Sequence, residues 1–382
     1  MTGRKKKEEK PSEMVKTAVR FAERVLSGRT DLDGPTIPPD VWKKMGRLGL
    51  LGWGIPAAYG GGGAGFSHVL PAMEAFVRTG ASPGLALSWM VHFVTAKVLI
   101  EGAADTRRKK ELLPELATGR STLSIALSEP GAGSDPRRIG ATASRCRGGV
   151  LLDGQKTWLT NGPLADRFVV FAVEGEREGR KSFTAFVVPK DTAGLTVLEM
   201  PPLGFLRPSP HCGIRLESCF VPATAVLGRR GRAWEDLSKP FRIAEDTLLA
   251  GVLIGAMSRE LRLLIGRIGE TQGNAGSGEK ERVGAAAAWL AAARRVSLDA
   301  ANALDGRDDG DVAERRLVAV HSVLQSLQEA LGAAHTAFGL ERAGARGSLA
   351  DDVARLFGLG SPAARARRRK WGETILTGEE TP

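Results

Sequence analysis

The stretch that decides the fold is Leu123-Ser124-Ile125-Ala126-Leu127-Ser128-Glu129-Pro130-Gly131-Ala132-Gly133-Ser134-Asp135, in which an apolar run leads into a sharp bend. The run up to Leu127 has the length and apolar character of a short strand. The bend contains two glycines and two serines, and such a bend exposes backbone N–H groups that can hold an anion or a ring heteroatom. Taken alone, the segment is more simply an ordinary loop that closes a strand.

A second informative segment, Trp158-Leu159-Thr160-Asn161-Gly162, ends a predicted strand with a flat ring and a hydroxyl group. These groups suit stacking against a planar cofactor and hydrogen bonding to it. By itself, a core tryptophan at the edge of a β domain explains the segment equally simply. Just upstream, Asp153-Gly154 between two extended arms predicts a hairpin turn. Further strands are predicted at residues 168–173, 182–188, 195–200 and 213–221.

Helical spacing of apolar residues dominates on both sides of these strands. Before them, helices are predicted from Pro11 and over residues 41–51, 69–78, 85–100 and 109–116, with a glycine-rich loop over residues 59–65. After them, helices are predicted from Trp234 to about Lys370, with loops at residues 273–278 and 306–310. The order predicts a helical domain at residues 11–121, a β domain at 122–232 and a helical domain at 233–372.

Composition suits a globular chain of two to three domains, because 42% of the 382 residues are hydrophobic and 25% are charged. No run of about 18 apolar residues occurs, so no membrane span is predicted. The N-terminus lacks the apolar stretch of a secretory signal, which predicts a cytoplasmic location. Cys146, Cys212 and Cys219 have neither paired nor metal-binding spacing and are expected to be reduced thiols.

The net charge of +11 favours polyanionic partners, such as nucleic acid, an acidic carrier protein or the phosphates of a coenzyme. Aromatic residues make up only 5% of the chain and are not interleaved with basic residues, which argues against nucleic acid. The charge run at residues 4–10 is expected to be a solvated tail, and the basic run at residues 365–370 a solvated helix end. The five histidines have no metal-ligand spacing.

Five blocks of sequence, taken together, resemble the acyl-CoA dehydrogenase family in order and spacing. They are Leu48-Gly49-Leu50-Leu51-Gly52-Trp53-Gly54-Ile55-Pro56, Tyr59-Gly60-Gly61, Leu112-Leu113-Pro114-Glu115-Leu116-Ala117-Thr118-Gly119, Ala126 to Asp135, and Leu152 to Gly162 followed by Ala165-Asp166. The resemblance implies an α+β multi-domain fold with an N-terminal helical domain, a middle β-barrel-like domain and a C-terminal four-helix bundle. It also implies FAD as the cofactor.

The resemblance assigns cofactor-binding positions residue by residue. Ile125, Ala126, Leu127 and Ser128 would lie along the isoalloxazine ring. Gly133 is assigned to cofactor binding, and Ser134 would meet the phosphate or the pantetheine arm. Trp158, Leu159 and Thr160 would line the opposite side of the flavin. A flavin takes hydride from the β carbon once a base removes the α proton, so a base is also required.

The resemblance places that base at Glu245. Most family members carry a glutamate near the C-terminus, but residues 352–362 have none at the corresponding position. The isovaleryl and long-chain branches carry it at the start of the first C-terminal helix, which aligns with Glu245. Leu249, Val252 and Ala256 share a helical face with Glu245, and burial among them would raise its pKa.

A simpler interpretation makes Glu245 and Asp246 water-exposed acids in an early helical turn, favoured by the helix dipole. Asp246 also departs from the family, which has arginine there, so a local charge at the substrate end is inverted. Two further family motifs are missing. Neither Arg-x-x-Phe-Gly near residues 271–275 nor Gln-x-x-Gly-Gly-x-Gly near residues 334–340 occurs in this chain.

The implied function is α,β-dehydrogenation of an acyl thioester carried on coenzyme A or on an acyl-carrier protein, with an electron-transfer flavoprotein as the acceptor. A homo-oligomer is expected, or a heteromer in which a related subunit supplies the missing motifs. Two alternatives stay open: a flavin-dependent monooxygenase on the same fold, and a non-catalytic subunit of a heteromeric dehydrogenase.

Overall fold

The computed structural model describes residues 11–271, 275–306, 310–340 and 348–378. The charge run at residues 4–10 lies outside the described residues, as do parts of the predicted loops at residues 273–278 and 306–310. The chain order of helices, then strands, then helices confirms the predicted α+β organisation. The exact domain boundaries stay predictions.

The N-terminal part of the chain is helical. Its α-helices are α1 (Pro11–Phe21), α2 (Pro39–Arg47), α3 (Phe66–Thr79), α4 (Pro83–Val94) and α5 (Thr106–Thr118). Polar caps fix the helix ends: the Asp105 side chain accepts from the backbone N–H of Arg108 at 2.8 Å, and Gly119 follows α5 with a φ of +69°. A side-chain cap satisfies one of the unpaired amides at a helix start, so these positions define where α5 begins and ends.

The helix formed by α4 and its extension is buried in the core of this part. Residues Pro83–Glu101 are long and apolar enough to cross a membrane, but 83% of the most apolar 18-residue window is buried inside the protein. Trp89 and Phe93 on this helix are almost fully buried and contact other aromatic rings. Packing against its neighbours therefore accounts for its apolar character.

The glycine-rich segment forms the predicted loop and connects the N-terminal helices to the last helices of the chain. Asp305 accepts the backbone N–H groups of Phe66 and Ser67 at 2.7 and 2.9 Å, and thereby caps the start of α3. A Cβ atom on Gly65 would lie 2.4 Å from that carboxylate. Glycine is required at residue 65 because its missing side chain lets the cap approach.

The middle part of the chain forms one mixed sheet. Its described strands are β1 (Leu123–Ala126), β2 (Thr142–Cys146), β3 (Gly149–Thr160), β4 (Arg167–Arg177), β5 (Arg180–Pro189), β6 (Leu195–Glu199), β7 (His211–Pro222) and β8 (Val226–Leu227). Their spatial order is β6-β7-β3-β2-β4-β5-β8, with β1 parallel to β4. This order places β3 directly against β7, and the two run antiparallel.

The hairpin turn predicted at Asp153-Gly154 is wrong. Strand β3 continues through both residues, and the chain reverses instead between β2 and β3, where Gly148 has a φ of +83°. At Gly154 the register with β7 shifts, and a Cβ there would lie 2.7 Å from the Ala141 side chain. The Asp-Gly pair therefore marks a β-bulge, and the side chain of Ala141 occupies the space beside Gly154. The local sequence alone does not distinguish such a bulge from a turn.

The C-terminal part is a bundle of long helices. They are α6 (Lys239–Thr271), α7 (Ser277–Gly306), α8 (Gly310–Ala337) and α9 (Leu349–Leu376). A single π-helical turn, Trp234–Ser238, leads into α6. Helix α6 packs against helices of both the N-terminal part and the bundle, so it lies at the centre of the helical core.

A buried ion pair joins the bend after β1 to strand β3. Lys156 is fully buried, and its Nζ lies 2.7 Å from Glu129 Oε1 and 3.2 Å from the Leu127 carbonyl oxygen. The Glu129 carboxylate also accepts the backbone N–H groups of Gly140 and Ala141 at 2.8 and 2.9 Å. Burial opposes ionisation of Glu129, but Lys156 and the two amides hold its pKa below the usual range. A satisfied pair of this kind fixes the relative position of the segments that it joins.

The pair makes Lys156→Met a test of this connection. The variant leaves the Glu129 carboxylate buried without its cation, and we expect the free energy of unfolding to fall by about 3 kcal/mol. Denaturant unfolding followed by tryptophan fluorescence measures the change. Arg120→Met, which breaks the solvent-exposed pair with Glu115, is the control and should leave stability nearly unchanged. Equal effects of the two substitutions would contradict a special role for the buried pair.

Candidate active site

One cavity of about 420 Å³ brings together four of the predicted site residues: Trp158, Thr160, Glu245 and Asp246. Its walls come from α4, β3, β7, α6, α9 and the loop before β7. The other lining residues are Leu87, Met90, Leu203, Phe205, Leu206, His211, Arg242, Leu249, Leu356, Leu359 and Gly360. Most of them are apolar, so they offer a carboxylate in this cavity few hydrogen-bond partners and favour its protonated form.

Trp158 faces the cavity because the backbone of β3 is irregular there. Its φ is +57°, and the register between β3 and β7 shifts between Lys156 and Leu159. The indole is 45% exposed, whereas Lys156 and Leu159 are buried. A bulky residue in the left-handed region is strained, and such strain persists where surrounding contacts enforce it. The Thr157 N–H donates to the Ser128 carbonyl oxygen at 2.9 Å and holds this part of the strand.

Three residues of the predicted flavin-binding set have side chains directed into the protein core instead. Ala126, Leu127 and Leu159 are buried among apolar neighbours, and Ile125 is half-buried. Any contact that Ala126, Leu127 and Leu159 make with a cofactor would therefore come from their backbone. Their predicted roles in cofactor binding, and that of the half-exposed Ser128, stay predictions.

The bend after β1 uses several of its own amides, contrary to expectation. Glu129 and Gly133 exchange two backbone hydrogen bonds of 2.9 Å, and the Ala132 N–H donates to the Glu129 carbonyl oxygen. The prediction of exposed N–H groups is therefore wrong for these three residues. Gly131 and Gly133, with φ of +69° and +58°, allow the chain to close on itself in this way.

Glu245 lies well inside α6, not in an exposed first turn. The preceding π-helical turn extends the helix upstream of this residue. Only 25% of the Glu245 side chain is accessible to solvent, and the residue lines the cavity. Loss of hydration raises its pKa to about 7; Arg242 opposes the rise and Asp246 adds to it. The interpretation of Glu245 as a water-exposed acid does not fit this position.

Arg242 connects two predicted site residues and was not identified from the sequence. Its Nη2 donates to Ser134 Oγ at 3.0 Å, and its Nε lies 3.7 Å from Glu245 Oε2. Residues three apart on a helix lie on the same face, so the position of Arg242 relative to Glu245 was a usable signal. Arg242 thus connects the Ser134 hydroxyl to the Glu245 carboxylate.

Asp246 forms an ion pair that sequence reasoning did not anticipate. Its Oδ2 lies 2.6 Å from Nη1 of Arg367 on α9, and the two side chains are 19% and 14% exposed. The prediction that residues 365–370 form a solvated helix end is wrong for Arg367, because α9 packs on α6 and directs this side chain inward. The family has arginine where this chain has Asp246, and the negative charge of Asp246 is balanced here by Arg367, which is far away in sequence.

The loop before β7 closes one side of the cavity and is fastened to α9. The Asp352 carboxylate accepts the Leu206 N–H at 2.7 Å, and the Arg355 guanidinium lies 5.2 Å from the centre of the Phe205 ring. Burial raises the pKa of Asp352 to about 6. Among the described residues, no group of three or more His, Cys, Asp or Glu side chains is arranged to hold a metal ion.

The raised pKa of Glu245 predicts a pH-dependent stability. Between the ordinary value of 4.5 and the folded value of about 7, the unfolded chain loses the proton while the folded chain keeps it. The stability that comes from the folded chain's tighter hold on the Glu245 proton is therefore present at low pH and is lost as the pH rises through 7. The stability of Glu245→Gln relative to the natural chain should increase between about pH 5 and about pH 8. Urea unfolding at both pH values measures it, and a pH-independent difference would contradict the assignment.

Comparison with known proteins gives matches along most of this framework. The acyl-CoA dehydrogenase N-terminal domain matches residues 8–120, and the acyl-CoA dehydrogenase middle domain matches residues 124–219. Isovaleryl-CoA dehydrogenase, mitochondrial, of Solanum tuberosum is 36% identical over 60% of this chain and 55% of its own length. L-prolyl-[peptidyl-carrier protein] dehydrogenase of Pseudomonas fluorescens is 33% identical over 59% of each chain. The chain thus matches little more than half the length of these relatives.

A solved structure described as an FAD-dependent dehydrogenase shares the whole architecture. It superposes with a TM-score of 0.79 at 25% identity and covers 94% of this chain and 95% of its own. The two domain matches together span more than half of the chain, in the order that the sequence motifs predict. The chain belongs to the acyl-CoA dehydrogenase family.

Proposed function

We propose that the chain catalyses the FAD-dependent α,β-dehydrogenation of an acyl thioester. The observation that carries this proposal is that the Glu245 carboxylate, with its raised pKa, and the exposed Trp158 ring line the same apolar cavity. A base and a stacking surface in one largely apolar cavity are what this reaction needs from a protein. Isovaleryl-CoA and prolyl-carrier protein dehydrogenases among the relatives support the same reaction class.

The donor set of the cavity fits a flavin. The Trp158 indole offers a flat apolar face that is 45% exposed, and Thr160 offers a hydroxyl group on the same strand. The Ser128 carbonyl oxygen lies close to the same part of β3, since it accepts the N–H of Thr157, the residue before Trp158. When bound, FAD would supply the acceptor for the hydride that leaves the β carbon.

The protein residues perform the acid–base part. Glu245 would remove the α proton, and poor hydration makes its carboxylate a stronger base than an exposed one. Arg242, held by Ser134, would stabilise the ionised carboxylate and fix its orientation. The leucines around the cavity would exclude water, so the proton stays on Glu245 until the product leaves.

The acyl carrier and the partners belong to the same proposal. We infer coenzyme A or an acyl-carrier protein as the carrier, an electron-transfer flavoprotein as the electron acceptor, and a cytoplasmic location. The end of α8 and the turn at Gly339 occupy residues 334–340, where the family's glycine-rich motif is missing. Residues 272–274, near the other missing motif, lie outside the described residues. A second subunit, identical or related, would supply the remaining contacts to the cofactor.

The first test is the visible spectrum of the purified chain during anaerobic titration with branched acyl-CoAs and prolyl-loaded carrier protein. We expect flavin bands that bleach with at least one of these substrates. Glu245→Gln should bind flavin equally well but fail to bleach, because it cannot accept the α proton. Glu235→Gln, an exposed acid before α6, is the control and should bleach normally. Bleaching by Glu245→Gln at the natural rate would refute the assigned base.

The part of the cavity beside Gly360, where we place the acyl group, provides a test of substrate size. Gly360 on α9 lines the cavity, and a Cβ atom there would meet open space. Gly360→Leu should therefore fill the cavity and shift the preference toward shorter acyl groups, lowering kcat/KM for the longest accepted substrate at least tenfold. Gly358→Leu, on the exposed side of the same helix, is the matched control. An equal substrate profile for both variants would contradict this placement of the acyl group.

A further inference from the structure

His211 and Thr160 form a cross-strand pair at the wall of the cavity. They are direct partners in the antiparallel register of β7 and β3, and both line the cavity. Thr160 Oγ1 lies 3.1 Å from His211 Nε2, and His211 Nδ1 lies 3.0 Å from the Ser209 carbonyl oxygen. The proposed acid–base chemistry uses neither the histidine nor this contact.

The two contacts determine where the hydrogens lie. A carbonyl oxygen only accepts hydrogen bonds, so His211 Nδ1 must carry the hydrogen that points to Ser209. In a neutral imidazole the other nitrogen is then an acceptor, and the Thr160 hydroxyl must donate to it. Burial lowers the pKa of His211, which keeps the ring neutral near pH 7.

We propose that His211 is a positioning residue. It accepts the hydrogen of the Thr160 hydroxyl in a hydrogen bond within the protein, so that Thr160 presents only oxygen lone pairs to the cavity. A group of this kind accepts hydrogen bonds from a bound molecule but cannot donate one. It selects a hydrogen-bond donor, and in a planar heterocycle that donor is a ring N–H. A hydroxyl without His211 opposite would rotate and serve either role.

This inference rests on the proposed binding of FAD for its consequence. Reduction of an isoalloxazine ring adds hydrogen to ring nitrogen, so the reduced form has N–H groups that the oxidised form lacks. An acceptor-only hydroxyl beside a ring nitrogen that gains hydrogen would stabilise the reduced form more than the oxidised form. By holding the Thr160 hydrogen, His211 would therefore favour the electron-accepting direction of the proposed reaction.

The hydrogen positions can be tested without any cofactor. Long-range ¹H–¹⁵N correlation spectra of histidine-labelled protein distinguish protonated from unprotonated ring nitrogens. We expect His211 to carry its hydrogen on Nδ1, and Thr160→Val to shift the Nε2 signal of His211 while leaving that of His68, outside the cavity, unchanged. A hydrogen on Nε2 of His211 in the natural chain would overturn the proposal.

The consequence is tested by the reduction potential of the bound flavin in a double-mutant cycle. His211→Phe should shift the reduced-to-oxidised ratio about fivefold toward oxidised, the effect of one ordinary hydrogen bond, or about 20 mV for a two-electron couple. In a Thr160→Val background the same substitution should have no effect. An equal shift in both backgrounds, or none in either, would overturn the role of His211. Failure of the natural chain to take up flavin would instead refute the proposed function.

Discussion

The pair of Lys156 with Glu129 is the constraint on which the cavity depends. It joins the bend after β1 to the middle of β3, and Lys156 is fully buried while the Glu129 side chain is only 11% exposed. An unpaired charge there would be costly, so the two segments cannot separate without exposing or neutralising both groups. The two amides that also bind Glu129 extend this connection to residues 140 and 141. The bend, the turn after it and β3 therefore move as one unit.

That rigidity explains how the protein maintains an unfavourable backbone at Trp158. The left-handed conformation turns the indole out of the sheet and toward the cavity, while Leu159 stays in the core. Without a fixed anchor on either side, a relaxed strand would alternate regularly and would point the ring elsewhere. Lys156 supplies the anchor before the bulge, and the pairing of Thr160 with His211 supplies the one after it. Strain at this position is thus supported by contacts on both sides.

Much of the fold was predictable because it depends on local periodicity and on glycine positions. The helices, the strands at 168–173 and 182–188, and the glycine-rich loop follow directly from apolar spacing. The position of Glu245 on a buried face of its helix was predictable because the spacing of Leu249, Val252 and Ala256 already indicated that face. Its role as the base stays a proposal. Arg367 and His211 were not, since their partners are 121 and 51 positions away in sequence, and only the packing of α9 and the register of β7 bring them together. The bulge at Gly154 was mistaken for a turn because the residue that fills it, Ala141, is on another segment.

The electrostatics of the cavity follow from the same distant contacts. Glu245, Asp246 and Arg242 line the cavity, and Arg367 pairs with Asp246 from outside the cavity lining. Each arginine has a second constraint: Arg242 also binds Ser134, and Arg367 is held by the packing of α9. Arg242 therefore remains 3.7 Å from Glu245 and offsets only part of the desolvation. If Asp246 were not paired with Arg367, its charge would act on Glu245 undiminished and would raise the pKa of the base still further. The basicity of Glu245 thus depends on the packing of α9 and of the bend after β1 as well as on its sequence neighbours Arg242 and Asp246.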